Sequence, residues 1–277
     1  MADSKLDWAM PVMRTGYAGR GVTYLAIAGI SLWAIWQGGQ AKGTSAALAA
    51  VERQPFGQVL LYLIGIGLIC YMGWRLLDAV LDLEDYGTDG KGLIARGGMI
   101  VTGLIHGALG ASAIALTTGQ SSGGGGESKI AEVTGRVMQM PGGVWLVGLG
   151  GLATIGAGIY YLHKGWAETY REKLVGNHFT TNWNPALKAG VIAQGVVVGI
   201  VGAFFVYAAV THSPDQAGGL DQTFSWLSQQ AYGRVLVSLL CLGLLGFALF
   251  LFVNARYRVV PRLSDPDEIT TLKAKLS

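Results

Sequence analysis

The chain has 277 residues, of which 51% are hydrophobic and only 13% charged. Soluble globular domains carry roughly twice that share of charge, so a water-facing surface cannot be built from this composition, whereas a lipid-facing one can. A net charge of +3 is too small to signal nucleic-acid binding, and the two cysteines, Cys70 and Cys241, stand alone in apolar runs with no metal-ligand spacing.

The first residues, Met1 to Met13, are polar and lack the charged, apolar, small-residue order of a secretory signal, so the first apolar run is expected to be a retained helix. Six apolar runs follow, at about Gly21–Gln37, Gly57–Leu77, Gly97–Leu116, Gly142–Leu162, Ala189–Val210 and Val235–Val253. Each approaches or meets the ~20 residues needed to cross a hydrocarbon core of ~30 Å. The spacing therefore predicts an all-α membrane protein with six transmembrane helices. Glycine is abundant inside the runs, where helices that approach closely in lipid favour small residues. Only Gly123 to Gly126 reads as a flexible linker.

Basic residues fall mostly on one side of these spans. Lys5, Arg14, Arg20, Arg75, Lys91, Arg96, Lys164, Arg171, Lys173, Lys188 and the tail residues Arg256, Arg258, Arg262, Lys273 and Lys275 oppose only Lys42, Arg53, Lys129, Arg136 and Arg234. By the positive-inside rule both termini are expected in the cytoplasm. The three loops on the outer side contain short helical patterns at Ala46–Val51, Ile130–Met138 and Leu220–Leu227, which either lie flat in the interface or pack on the bundle.

The runs repeat in pairs. Arg14, Arg96 and Lys188 correspond, as do Gly16, Gly98 and Gly190, and Gly21, Gly103 and Gly195. In the second helices Gly57, Gly143 and Gly233 correspond, then Gly67, Ala153 and Gly243. The units are 14–81, 96–175 and 188–258, flanked by an N-terminal segment 1–13 and a tail 259–277. Each unit has two helices, so all three enter the membrane with the same polarity, and the simplest assembly is a bundle with a pseudo-threefold axis along the membrane normal.

Several phrases carry a family resemblance: Arg14-x-Gly16-Tyr17-Ala18-x-Arg20-Gly21, Gln54-Pro55-Phe56-Gly57, Tyr71-x-x-Trp74-Arg75, Lys164-Gly165-Trp166, Ala231-Tyr232-Gly233-Arg234 and Ala255-Arg256-Tyr257-Arg258. In combination, across nearly the whole chain, they resemble the bacterial family called "domain of unknown function 1206". The resemblance implies a six-helix bacterial inner-membrane protein and brings no activity or catalytic residue with it. Pro141-Gly142-Gly143 departs from the pattern, as does the glycine tract, which suggests a variable outer loop.

Positions four apart on a helix share a face, so Arg20, Thr102 and Gln194 recur at one level, and Tyr24 and His106 at the next. Facing lipid without partners, such groups would cost several kcal/mol each, so they are expected to point inward. One reading is a small polar cavity in the cytoplasmic half, which with Arg75 and Asp78 would bind a ligand or pass an ion; the other is hydrogen bonding that fixes packing. An Arg20–Asp78 pair is geometrically allowed. His106 has no second histidine at its depth, so the sequence calls for neither haem nor metal, and no cofactor is expected.

Trp33, Trp36, Trp74, Trp145 and Trp166 sit near run ends and suit interfacial belts. Trp166, Tyr170 and Leu174 recur beside Arg171 and Lys173, which reads as an amphipathic extension on an anionic leaflet or a docking face for a protein partner. No nucleophile–base pair, phosphate loop or paired carboxylates occur, so no catalytic residue is expected. The leading expectation is a non-catalytic membrane scaffold or accessory subunit that binds lipid or a larger membrane complex, without nucleic acid. A small transporter or channel built on Arg20, Tyr24 and His106 is the alternative.

Overall fold

The computed structural model describes residues 6, 8–119, 126–263, 271 and 274, so most of the glycine tract and much of the tail lie outside the described residues. Six helices are long and apolar enough to span a membrane: α1 (Ala9–Trp36), α3 (Gly57–Leu81), α4 (Gly90–Thr117), α6 (Gly143–Trp166), α8 (Asn184–Thr211) and α10 (Gly233–Tyr257). Shorter helices α2 (Thr44–Glu52), α5 (Gly126–Met138) and α9 (Leu220–Ser228) occupy the three loops at the end of the bundle opposite the termini, its outer end in the orientation expected from the sequence, and α7 (His178–Asn182) precedes α8. No β-strand occurs among the described residues; Leu174 and Arg258 form an isolated bridge.

The first helix of every repeat starts well before its apolar run. Each has 28 residues, or about 42 Å at ~1.5 Å per residue, longer than the hydrocarbon core. The added turns are the mixed polar segments up to Arg20, Arg96 and Lys188, and the starts of α4 and α8 carry local signals. Asp89 accepts a hydrogen bond from Gly92 N–H at 2.9 Å, and Pro185 sits in the first turn of α8.

One turn is built three times. Phe56, Gly142 and Tyr232 take left-handed backbone angles, and Gly57, Gly143 and Gly233 follow them into the second helices. The N–H groups of these three glycines donate to Gln54, Met140 and Gln230 carbonyls at 2.8 Å in every case. A Cβ on any of them would strike a carbonyl of the preceding outer helix, which is why glycine stands there. Gly142 shows that the departure from the aromatic-glycine phrase leaves the geometry intact.

The helices pack in the order α4, α3, α1, α10, α8, α6. Close approach is set by glycine. Gly19 of α1 faces Gly67 of α3, Gly110 of α4 faces the Gly65 carbonyl of α3, Gly158 and Gly202 of the α6–α8 pair meet Gly199 and Ile155, and Gly243 of α10 meets Ala193 of α8. The first and third repeats are therefore closed hairpins. In the second, α4 and α6 each pack on a neighbouring repeat and not closely on each other.

The repeat alignment supplies the reason. The Gly19·Gly67 and Ala193·Gly243 contacts correspond to Val101·Ala153, and the Gly16·Tyr71 and Gly190·Phe247 contacts correspond to Gly98·Ala157. A branched side chain blocks one contact and a missing ring empties the other. Val101 is 58% exposed, Ala153 and Ala157 are exposed, and a Cβ on Gly98 would meet nothing within 4 Å.

The outer helices α2 and α9 pack on the bundle through Ala47, Leu48, Val51, Leu220 and Phe224. Trp33, Trp36, Trp145 and Trp166 are exposed as an interfacial belt requires, joined by Phe56 and Tyr232. Trp74 is not part of that belt. It is fully buried, because it lies on the face of α3 that meets the central core.

Candidate functional site

Arg20 lies near the middle of α1, sixteen residues and thus about 24 Å from the outer end at Trp36. Its residue is only 4% exposed. Nη1 donates to the Tyr71 hydroxyl of α3 at 2.8 Å, and the guanidinium lies 5.0, 5.4 and 5.6 Å from the Tyr71, Phe247 and Tyr24 ring centres. Three aromatic faces replace a carboxylate as its surroundings. Its Nε has no hydrogen-bond partner. His106 of α4 packs edge-on to Tyr71 with ring centres 5.0 Å apart, and its Nδ1 lies 2.7 Å from the Thr102 carbonyl. Thr102 itself donates to the Gly98 carbonyl of its own helix.

One turn nearer the first-helix starts, Arg75 approaches the Tyr71 ring at 5.9 Å and Asp78 at 3.8 Å. Asp78 is fully buried and accepts from the Glu84 N–H at 3.1 Å, while its Oδ2 has no hydrogen-bond partner. The expected Arg20–Asp78 pair does not form. Arg20 is held by Tyr71 and Phe247 deeper in the bundle, whereas Asp78 turns back to the loop after α3.

That loop carries Glu84, a residue the sequence reading passed over. Its carboxylate receives Arg258 Nη2 at 2.5 Å and Lys173 Nζ at 2.7 Å, so the loop after the first repeat is tied to the ends of the second and third through one buried acid. Burial pushes its pKa up, but the adjacent Arg258 and then Lys173 and Arg75 outweigh this and hold the carboxyl well below the usual carboxylate range. The Arg258 guanidinium also lies 5.2 Å from the Tyr17 ring centre. Residues 84, 173 and 258 are far apart in sequence, and only the order of the repeats brings them together.

The stretch after α6 is not a continued amphipathic helix. A 3₁₀ turn over Thr169–Lys173 buries Tyr170 and Leu174 in the core. Tyr170 donates to Asn184 Oδ1 at 2.9 Å, Arg171 pairs with Glu168, and Lys173 is committed to Glu84. Trp166 alone of the expected docking residues is broadly exposed. Gln194 is buried, but its Oε1 has no hydrogen-bond partner and it forms no bond to Arg20 or Thr102.

A cavity of about 590 Å³ lies in the outer half, between α4 and α8 and beneath the outer helices. Its walls are apolar (Ile105, Leu109, Leu116, Val201, Phe205), and its outer rim is polar (Thr44, Ser45, Lys129, Thr134, Asp221). Asp221 crosses from α9 to the start of α2 and accepts from Ser45 N–H at 3.4 Å. Burial raises its pKa against the backbone donors of Ser45, Ala46 and Gly43. Exposed Ile105 and Val133 mark where the cavity reaches the surface. A second, almost wholly apolar groove of about 840 Å³ runs between α8 and α10. Among the described residues no group of His, Cys, Asp and Glu is arranged to hold a metal.

The family model described as "Domain of Unknown Function (DUF1206)" matches residues 15–82, 97–168 and 189–258, one match per repeat, so the chain belongs to that family. It is also similar to the Bacillus subtilis (strain 168) "Uncharacterized protein YxxB", at 29% identity over 259 residues that cover 91% of this chain and 92% of the relative. No solved structure matches.

Proposed function

We propose that this DUF1206 protein is a non-catalytic, multi-pass protein of the bacterial cytoplasmic membrane that holds a membrane lipid beneath its outer helices and serves as a scaffold or accessory subunit of a larger membrane assembly. The observation that carries the reading is the cavity between α4 and α8. Its volume falls within the range of ligand sites, roughly 300–1,000 Å³. Apolar walls within the spans and a polar rim at the outer ends suit an acyl chain with its headgroup at the interface. The open second repeat supports sideways entry from the bilayer, since α4 is not sealed by α6.

The distribution of Lys and Arg supports cytoplasmic termini. The transport alternative draws on the Arg20–Tyr71–His106 layer, and it requires that Arg20→Ala with His106→Ala abolish a flux. For the lipid reading, native mass spectrometry of the gently solubilised protein should show a retained lipid mass, lost when Val201→Trp fills the cavity. A bare wild-type protein, or a Val201→Trp protein with the same adduct, would refute it.

A further inference from the structure

At one level of the three second helices stand Tyr71, Ala157 and Phe247. Tyr71 and Phe247 both lie against the Arg20 guanidinium. The third ring that the repeat would supply is absent, and α6 instead turns Tyr161 toward Phe247, with ring centres 6.5 Å apart. One turn on, Lys164 occupies the register of Asp78, half-buried, its Nζ 5.9 Å from both the Tyr161 and Phe250 rings. The repeat thus substitutes a cation for an acid and an alanine for an aromatic, on the side where α4 and α6 stand apart.

The charges here do not balance. Arg20, Arg75 and Lys164 are three basic groups, and Arg20 and Lys164 have no ion-pair partner among the described residues. Arg20 Nε and Arg75 Nε are buried without hydrogen-bond partners. Among the described residues Asp78 has one ion-pair neighbour, Arg75 at 3.8 Å, and Glu84 is taken up by Arg258 and Lys173. Buried cations in a membrane are paired or mark a ligand site, because an isolated charge there is costly.

We propose that Arg20, Arg75 and Lys164 form a binding site for a phosphate-bearing anion that enters through the opening between α4 and α6. The phosphate of an anionic lipid headgroup and free inorganic phosphate share the recognised chemistry. Arginine offers planar donors to phosphate oxygens and lysine a point charge; the Tyr24 ring lies 5.6 Å from the Arg20 guanidinium and the Tyr161 ring 5.9 Å from Lys164 Nζ. The site lies in the half of the bundle where the first helices begin, apart from the outer cavity, and does not depend on that cavity being filled.

The test uses the full chain in uncharged detergent, with binding measured calorimetrically for phosphatidylglycerol, for diacylglycerol bearing the same chains, and for inorganic phosphate. Phosphatidylglycerol should bind at least tenfold more tightly than diacylglycerol, and both Arg20→Met and Lys164→Gln should remove that difference. Arg20→Met keeps the buried volume and Lys164→Gln alters a half-buried side chain, and thermal unfolding of each variant separates a lost site from a lost fold. Binding of inorganic phosphate as well would assign the site to the phosphate group itself; binding of phosphatidylglycerol alone would assign it to a headgroup anchored by its chains. Equal binding of the two lipids, or a difference that survives both substitutions, would overturn the proposal. If diacylglycerol binding stays sensitive to Val201→Trp in that case, the outer-cavity reading stands while this one falls.

Discussion

Gly19 of α1 and Gly67 of α3 meet backbone to backbone, and a Cβ on either would collide with the other's Cα. Their counterparts in the third repeat, Ala193 and Gly243, keep the contact, whereas Val101 and Ala153 in the second do not. The same template thus yields two zipped hairpins and one open one. The difference resides in a few side chains on the facing surfaces.

Substitution should separate the closed and open repeats. Gly19→Leu is expected to destabilise the protein by at least about 1–3 kcal/mol through overpacking. Gly98→Leu, at a position that meets nothing within 4 Å, should stay within about 0.5 kcal/mol of wild type. Thermal unfolding in one detergent compares the two. Equal losses would mean that the second repeat closes in the same way as the first.

Arg20 and Tyr71 should behave as a coupled pair. Tyr71→Phe keeps the ring under the guanidinium but removes the acceptor of a charged hydrogen bond, a loss of about 1.5–3 kcal/mol. Adding Arg20→Met should recover part of it, because the uncompensated cation is then gone. A double-mutant cycle measures the coupling, and strict additivity would remove the pair from the account.

Glu84 gives the fold an acid limit. Its carboxyl is held below the usual range in the folded protein, so its contribution is complete above the unfolded value of about 4.3 and is lost as pH falls through the folded value. Unfolding midpoints should therefore drop below about pH 4 in wild type and vary less in Glu84→Gln. That substitution should itself cost about 3–5 kcal/mol by stranding Arg258 and Lys173. A Glu84→Gln protein as stable as wild type at pH 7 would contradict the buried-pair assignment.

Labelling addresses orientation. A cysteine at Lys42, between α1 and α2, should react with an impermeant thiol reagent on intact cells, and one at Lys91, at the start of α4, should react only after permeabilisation. The reverse pattern would invert the topology.

Much of this architecture was legible in the chain. Six apolar runs, the outer helices and the matched glycines follow from length, periodicity and self-similarity. The early starts of α1, α4 and α8 were hidden because polar residues such as Arg14, Arg96 and Lys188 interrupt the hydropathy without breaking the helix. Arg20, His106 and Gln194 were rightly expected to be buried. Their partners were not foreseen, because Tyr71 and Phe247 look like ordinary packing residues until the helix order is known. The open hairpin had a readable signal in Val101 and Ala157, which depart from the small and the aromatic residues at the aligned positions. Glu84 had none, since it lies in a loop outside every repeat match.

The central claim is that a lipid chain occupies the space between α4 and α8. A phospholipid with a photoactivatable group in its acyl chain, cross-linked in membranes and mapped by peptide mass spectrometry, tests it most directly. Labelling should concentrate on Ile105, Leu109, Val201 and Phe205 and disappear from these residues in Val201→Trp. Labelling spread evenly over lipid-facing residues such as Leu63, Leu149 and Leu239, and indifferent to that substitution, would contradict it.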